Sequence, residues 1–314
     1  MTEHSGVADC LHRFTFEGLP IRGQWVRLTD TITAANAVRE YPAPIRSLLN
    51  QMFAAVAMFA DNLKFQGAVA LQSKGDGALI RTLAECREQQ FLRGIAHLDD
   101  AKAPPVDQDN LAAWLHKGHL ALSLIPPAET QQAPYQGMVP LEQASLSENL
   151  ETYMKYSEQL PSRLYFADSN TSVTALLLQR LPSTASTTQG LSEEEDEAWH
   201  SIVTLADTVT EEELLTLGPH DMLGRLFAEY PCRLYPARQL AYKCSCSRFK
   251  SDRTLRVLQA EELQQLLDEL GRIHVDCEFC GTRYDYDAID IAHLLNASSH
   301  PTESTPADGK PLLH

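Results

Sequence analysis

Four of the chain's seven cysteines fall into two tight pairs, and no other feature limits its fold as strongly. Cys244-Ser245-Cys246 is followed, after thirty intervening residues, by Cys277-Glu278-Phe279-Cys280 and then Gly281. A C-x-C and a C-x-x-C within one short segment suit four thiolates around a tetrahedral zinc ion, each pair supplying two sulfurs. Gly281 fits a tight turn whose backbone curls around the metal. Between the pairs, Thr254–Leu270 reads as a helix ended by Gly271. Arg272–Asp276 and Thr282–Tyr286 read as short strands flanking the second pair. A module of roughly fifty residues with so small a core needs the metal as a staple.

Two readings of those sulfurs stand side by side. One is a purely structural zinc site. The other is a sensor, because C-x-C is an unusual spacing for structural zinc and its disulfide closes a tight, reducible ring. Zinc keeps its sulfurs as thiolates, the form that oxidants attack, so oxidation to two local disulfides would expel the ion. His274 and His293 read as surface or packing residues, since four thiols already complete a tetrahedral set. Cys10, Cys86 and Cys232 stand alone and read as buried or incidental thiols.

Charge removes several function classes. Among 314 residues, 42 are Asp or Glu and 26 are Lys or Arg, for a net charge of -16. That balance repels a phosphate backbone and an anionic membrane surface, so neither nucleic acid nor membrane is an expected partner. The most apolar stretch, 52–60, is nine residues long, well short of a bilayer span. The N-terminus lacks a basic region followed by an apolar one, so the expected compartment is a reducing cytoplasm. The Gly75-Asp76-Gly77 turn matches neither phosphate-binding glycine pattern, and no serine elbow or H-E-x-x-H helix is present.

Along the chain, 1–185 reads as a mixed α/β core domain. Runs at 24–28, 67–72, 119–125 and 163–167 alternate like strands. Pro44–Leu63 reads as a helix whose apolar face carries Ile45, Leu49, Met52, Phe53 and Val56. Phe65–Leu71 and Tyr135–Leu141 share an aromatic-Gln-Gly-x-Val-x-Leu pattern, explained by chance, by hairpin chemistry or by related half-units. From 186 to 240 the chain reads as a helical linker. Its stretch 191–230 holds eleven acidic residues and one arginine. Ser192-x-x-Glu195 and Thr210-x-x-Glu213 fit capping boxes. Such short, like-charged amphipathic helices need a neighbour for their apolar faces. They are either an ordinary linker or a region poised to unfold. A zinc-binding module at 241–296 and a polar tail at 297–314 complete an α+β architecture.

At this point the chain resembles the heat shock protein 33 family of redox-regulated bacterial holdase chaperones. The resemblance rests on Arg22-Gly23 with Val26-Arg27-Leu28, on Gly75-Asp76-Gly77, on Tyr135-Gln136-Gly137 and on Tyr156–Leu164. It continues through Thr210–Leu215 to the cysteine set, its most specific element. The sequence after Gly77 departs from the family's usual continuation. The resemblance implies a zinc-bound, largely inactive cytoplasmic monomer, held by Cys244, Cys246, Cys277 and Cys280. It further implies that hypochlorous acid, or peroxide with heat, pairs Cys277 with Cys280 and releases zinc. The linker then unfolds, Cys244 pairs with Cys246, and a dimer holds unfolding client proteins without ATP. The expected function is therefore a holdase and not an enzyme.

Two alternatives belong to other classes. A zinc-ribbon nucleic-acid-binding or transcription-associated module would need local positive charge, yet 238–295 holds eight basic and ten acidic residues. A thiol–disulfide oxidoreductase using Cys277 and Cys280 would place them in a thioredoxin-like βαβ setting.

Overall fold

A computed structural model of the chain describes residues 9–62, 67–127, 130, 132–182 and 193–298. It divides into two compact units, Met1–Cys244 and Ser245–His314.

The first unit opens with strands β1 (Cys10–Phe16) and β2 (Ile21–Leu28), then helices α1 (Asp30–Asn36) and α2 (Ala43–Asp61). Strands β3 (Ala68–Lys74), β4 (Leu79–Arg87) and β5 (Phe91–Leu98) follow, then helix α3 (Leu111–Leu115). Next are β6 (His119–Ile125), β7 (Tyr135–Pro140), helix α4 (Leu146–Tyr156), β8 (Ser162–Asp168) and β9 (Val173–Arg180). Helices α5 (Glu193–Ala206), α6 (Glu211–Thr216) and α7 (Pro219–Leu226) lead to short strands β10 (Cys232–Leu234), β11 (Arg238–Gln239) and β12 (Ala241–Tyr242).

Two sheets result. One runs β10-β1-β2-β9-β8, with β11 also pairing β1. The other runs β12-β5-β4-β3-β6-β7, antiparallel except where β12 joins β5 in parallel. Helix α2 is apolar on nearly every side because it packs against both sheets. Pro44 sits in its first turn, as read from sequence, and the helix ends at Asp61; Leu63 lies outside the described residues.

The period of two in the first sheet sorts its side chains between two cores. Leu11, Val26, Leu28, Ala175 and Leu177 pack toward α2. Phe14, Phe16, Ile21, Trp25, Leu176 and Leu178 point to the other face, where Ile202, Ala206, Leu214, Met222 and Leu223 cover them. The acidic helices therefore lay their apolar stripes on a sheet that would otherwise expose a broad greasy face. Polar contacts hold them there. Arg27 stacks on Trp25 at 4.9 Å and donates to the carbonyls of Leu214 and Leu217, both at 2.8 Å. A guanidinium at the C-terminal end of α6 suits the negative pole of that helix. Arg163 pairs with Asp207 at 2.7 Å, and Arg180 with Asp196. The Thr210–Glu213 capping box forms as read, while Ser192 lies outside the described residues.

The two aromatic-Gln-Gly segments border the same strand, β6, but do not occupy equivalent places. Val69 opposes Leu124, whereas Val139 opposes Leu120, a shift of four residues along β6. Residues 65 and 66 lie outside the described residues. The Gly75-Asp76-Gly77 turn packs on the backbone of α3. A Cβ on Gly75 would stand 2.0 Å from the Leu115 carbonyl oxygen, and one on Gly77 would stand 2.1 Å from that of Trp114. Gly77→Ala is expected to cost about 1–3 kcal/mol, as overpacking does. A urea midpoint that falls with unchanged slope would register it.

The second unit is small. Helices α8 (Arg248–Leu255) and α9 (Ala260–Leu270), strands β13 (Ile273–Asp276) and β14 (Arg283–Tyr286), and helix α10 (Ala288–Ser298) enclose a short list of buried apolar residues. These are Leu255, Leu263, Leu267, Ile273, Tyr286, Ile291 and Leu294. The single helix expected over Thr254–Leu270 is instead two. Ser247 caps α8 by accepting from the Lys250 amide, and Gln259 opens α9 in a capping box with Glu262. A new N-terminus at Gln259 breaks the ladder, and Val257 between the helices is exposed. Gly271, with φ of 69°, ends α9 as expected.

Candidate metal centre

Each cysteine pair is placed by its own local structure. β12 continues the second sheet, with the Ala241 amide donating to Gln90 and the Lys243 amide to Leu92, so Cys244 emerges beside β5. Lys243 Nζ lies 4.1 Å from the centre of the Phe91 ring. Cys277 and Cys280 sit in the turn between β13 and β14. There the Gly281 amide donates to the Cys277 carbonyl at 2.8 Å and the Cys277 amide to Thr282 at 2.9 Å. Gly281 has φ of 69°, which a side chain would strain.

The four Sγ atoms of Cys244, Cys246, Cys277 and Cys280 all lie within 4.8 Å of one another. Cys246 Sγ and Cys280 Sγ are 3.4 Å apart, across the two motifs. A tetrahedral ion with sulfur bonds of about 2.3 Å sets its ligands about 3.8 Å apart, so the cluster has the dimensions of one four-thiolate site. The donors are all soft, and each is half-buried. That donor set fits zinc chemistry and leaves no ligand position for water. His274, near Cys277, instead pairs with Asp285 at 2.5 Å.

Residues that sequence reasoning did not single out support the sulfurs. The Tyr284 hydroxyl donates to Cys246 Sγ at 3.1 Å, a bond that helps push the phenol up to about 12. Thr282 Oγ1 lies 3.2 Å from Cys280 Sγ. Burial works against the Arg93 guanidinium, but Glu85 and the Cys244 sulfur outweigh it and its pKa is raised. Arg93 comes from β5 and Tyr284 from β14, far from the cysteines in sequence or outside any cysteine motif, so no spacing rule marks them.

The other three cysteines differ in kind. Burial pushes the Cys86 thiol up to about 12 and the Cys232 thiol up to about 11, and it raises Cys10 as well. Thiols this far from thiolate are poor nucleophiles. In folded, reduced protein, iodoacetamide at pH 8 should leave Cys10 and Cys86 unlabelled in peptide mass spectra. Labelling of Cys86 as fast as a small free thiol would contradict this assignment.

The model for Hsp33 protein matches residues 9–287. The chain belongs to the Hsp33 family. Among curated relatives, a "33 kDa chaperonin" of Pseudomonas syringae is 38% identical over 288 residues, covering 91% of this chain and 93% of the relative. Another of that name, from Nitrosococcus oceani, is 37% identical over 287 residues, covering 91% and 94%. The crystal structure of the Hsp33 homologue from Thermotoga maritima superposes with a TM-score of 0.79 at 22% identity, covering 93% of this chain and 99% of that one. The mixed α and β architecture described above is thus the Hsp33 fold, and its four-cysteine cluster fits a zinc-binding region.

Proposed function

We propose that this chain is a redox-regulated, ATP-independent holdase chaperone, inactive while reduced and zinc-bound. The observation that carries the reading is the pairing of a four-thiol cluster with an apolar sheet face covered by charged helices. The names of the relatives supply the chaperone activity. Cys244, Cys246, Cys277 and Cys280 would hold the ion, which supplies the cross-link that a small module lacks.

On exposure to hypochlorous acid, or to peroxide with heat, the Cys277 and Cys280 thiolates give up two electrons and form one disulfide, while the oxidant takes up protons from solvent and is reduced to chloride and water or to water. Cys244 and Cys246 do the same. Sulfurs paired with each other are no longer thiolate ligands, so the cross-link is lost. Cys244 follows β12 after one intervening residue, Lys243, and the β10–β12 segment separates it from the helices on the sheet. Release of that segment loosens a linker, proposed to span 186–240, whose crowded carboxylates favour extension. The uncovered face, with Phe14, Phe16, Trp25 and Leu176, offers the apolar surface that unfolding chains bind. The net charge of -16 favours solubility of the complex.

In this scheme 1–185 is the chaperone core, 241–296 the redox switch and 297–314 a tail. The active form is a dimer, the compartment the cytoplasm, and no turnover chemistry or nucleic-acid partner is involved. Among the described residues, no helix is long and apolar enough to cross a membrane. The direct test is light scattering from a chemically denatured client diluted with reduced or with oxidised protein. Suppression only by the oxidised form supports the reading, and equal suppression by both forms removes the switch.

A further inference from the structure

The first unit contains a cavity of about 540 Å³ at the C-terminal end of α2, on the α2 side of β1 and β2. Its charge runs against that of the whole chain. Arg13, Arg22 and Arg238 line it, together with a single carboxylate, Asp61. Asp61 is fully occupied. Arg13 donates to both its carboxylate oxygens, at 2.5 and 2.7 Å, Arg238 approaches at 3.1 Å, and Gln24 donates at 2.7 Å. Arg22 donates to the Gln179 amide oxygen, and among the described residues no carboxylate lies within ion-pair distance of it. Burial and the positive charge of Arg13 push its pKa down. Three guanidiniums facing one carboxylate leave an excess of two positive charges in a concave, partly desolvated space. Arg13 and Arg238 keep 49% and 33% of their side chains exposed and Arg22 is half-buried, so the excess stands at the open wall of the cavity, where it attracts an anion from solvent.

We infer that this cavity binds a phosphate-type dianion, held by the Arg13, Arg22 and Arg238 guanidiniums. Planar guanidinium forks match phosphate oxygens in geometry as well as charge. The volume lies within the range of small-molecule sites, so the anion is either free phosphate or the head of a small phosphomonoester. The walls come from two places in the chain. Arg13 and Arg22 belong to the β1–β2 hairpin, whereas Tyr235, Pro236 and Arg238 belong to the segment joining the acidic helices to β12. A bound anion therefore ties that segment to the hairpin. By mass action it opposes release of the segment by a factor of one plus the ratio of ligand concentration to Kd. This regulatory consequence rests on the redox reading above, while the binding itself does not.

The experiment uses the full-length, reduced, zinc-loaded protein with no client or oxidant. Calorimetric titration with inorganic phosphate and, separately, with glucose 6-phosphate is compared with chloride at matched ionic strength. The expected result is saturable binding of one anion per chain with Kd at or below about 1 mM. Tighter binding of the sugar phosphate would assign the site to phosphomonoesters, and tighter binding of phosphate would assign it to the free ion. Arg22→Met should weaken binding about tenfold or more, and Arg22→Lys, which keeps charge and fold, should weaken it less. Hydrogen exchange of amides 232–239 should slow about tenfold at ligand ten times Kd. Absence of saturable binding by wild-type protein, or binding undiminished in Arg22→Lys and Arg22→Met alike, overturns the site. Binding that leaves exchange at 232–239 unchanged overturns the coupling and leaves the redox reading untouched.

Discussion

Cys277→Ser protein is expected to purify without stoichiometric zinc and with residues 245–298 unfolded. Among the described residues, the seven apolar side chains buried in that unit are too few to hold it alone. Structural zinc in such modules contributes on the order of 10 kcal/mol or more, and three thiolates with a weak hydroxyl retain only part of it. A drop in metal affinity of about four orders of magnitude or more follows from losing even half of that contribution. Metal analysis and amide exchange of α9 and β14 read both effects. Cys86→Ser is the matched control, since that thiol is buried in the first unit and pushed up to about 12; it should keep its zinc. Full zinc occupancy in Cys277→Ser would remove the cysteine from the ligand set.

Ile202→Asp should release the acidic helices without any oxidant. Ile202 is fully buried against the sheet face that holds Phe14, Trp25 and Leu176. Losing its burial costs about 2–3 kcal/mol, and placing a carboxylate there adds at least as much unless the helix lifts away. A total near 4 kcal/mol shifts the open population by about three orders of magnitude. The variant should bind a hydrophobic dye and suppress client aggregation while still reduced and still zinc-loaded. Normal zinc content with wild-type silence in both assays would mean that the covered face is not the client-binding surface.

Legibility from sequence followed the range of the interactions involved. The cysteine cluster was readable because two closely spaced thiol pairs in one short segment can meet at one point, and the Thr210–Glu213 cap because it closes within three residues. The strand at 119–125 and the helix from Pro44 announced themselves by period. What the acidic helices lean on was not readable, because Trp25 and Leu176 meet Ile202 across very long sequence separations. The break at Val257–Leu258 was hidden by apolar residues that mimic a continuing stripe, although Gln259 and Glu262 supply a local signal for it. Arg27 gripping the end of α6, and Arg93 beside Cys244, are tertiary contacts with no local pattern at all. Gly75 and Gly77 were legible as a turn, but not as the place where another backbone passes close by.

The most direct test follows hydrogen exchange across α5–α7, residues 193–226, during peroxide treatment at elevated temperature, with zinc release read in parallel by a chromogenic chelator. Exchange there should accelerate in step with zinc release, and both should reverse when thiols and zinc are restored. Zinc that leaves while those amides keep their original protection would contradict the coupling between the thiol cluster and the helices that mask the sheet.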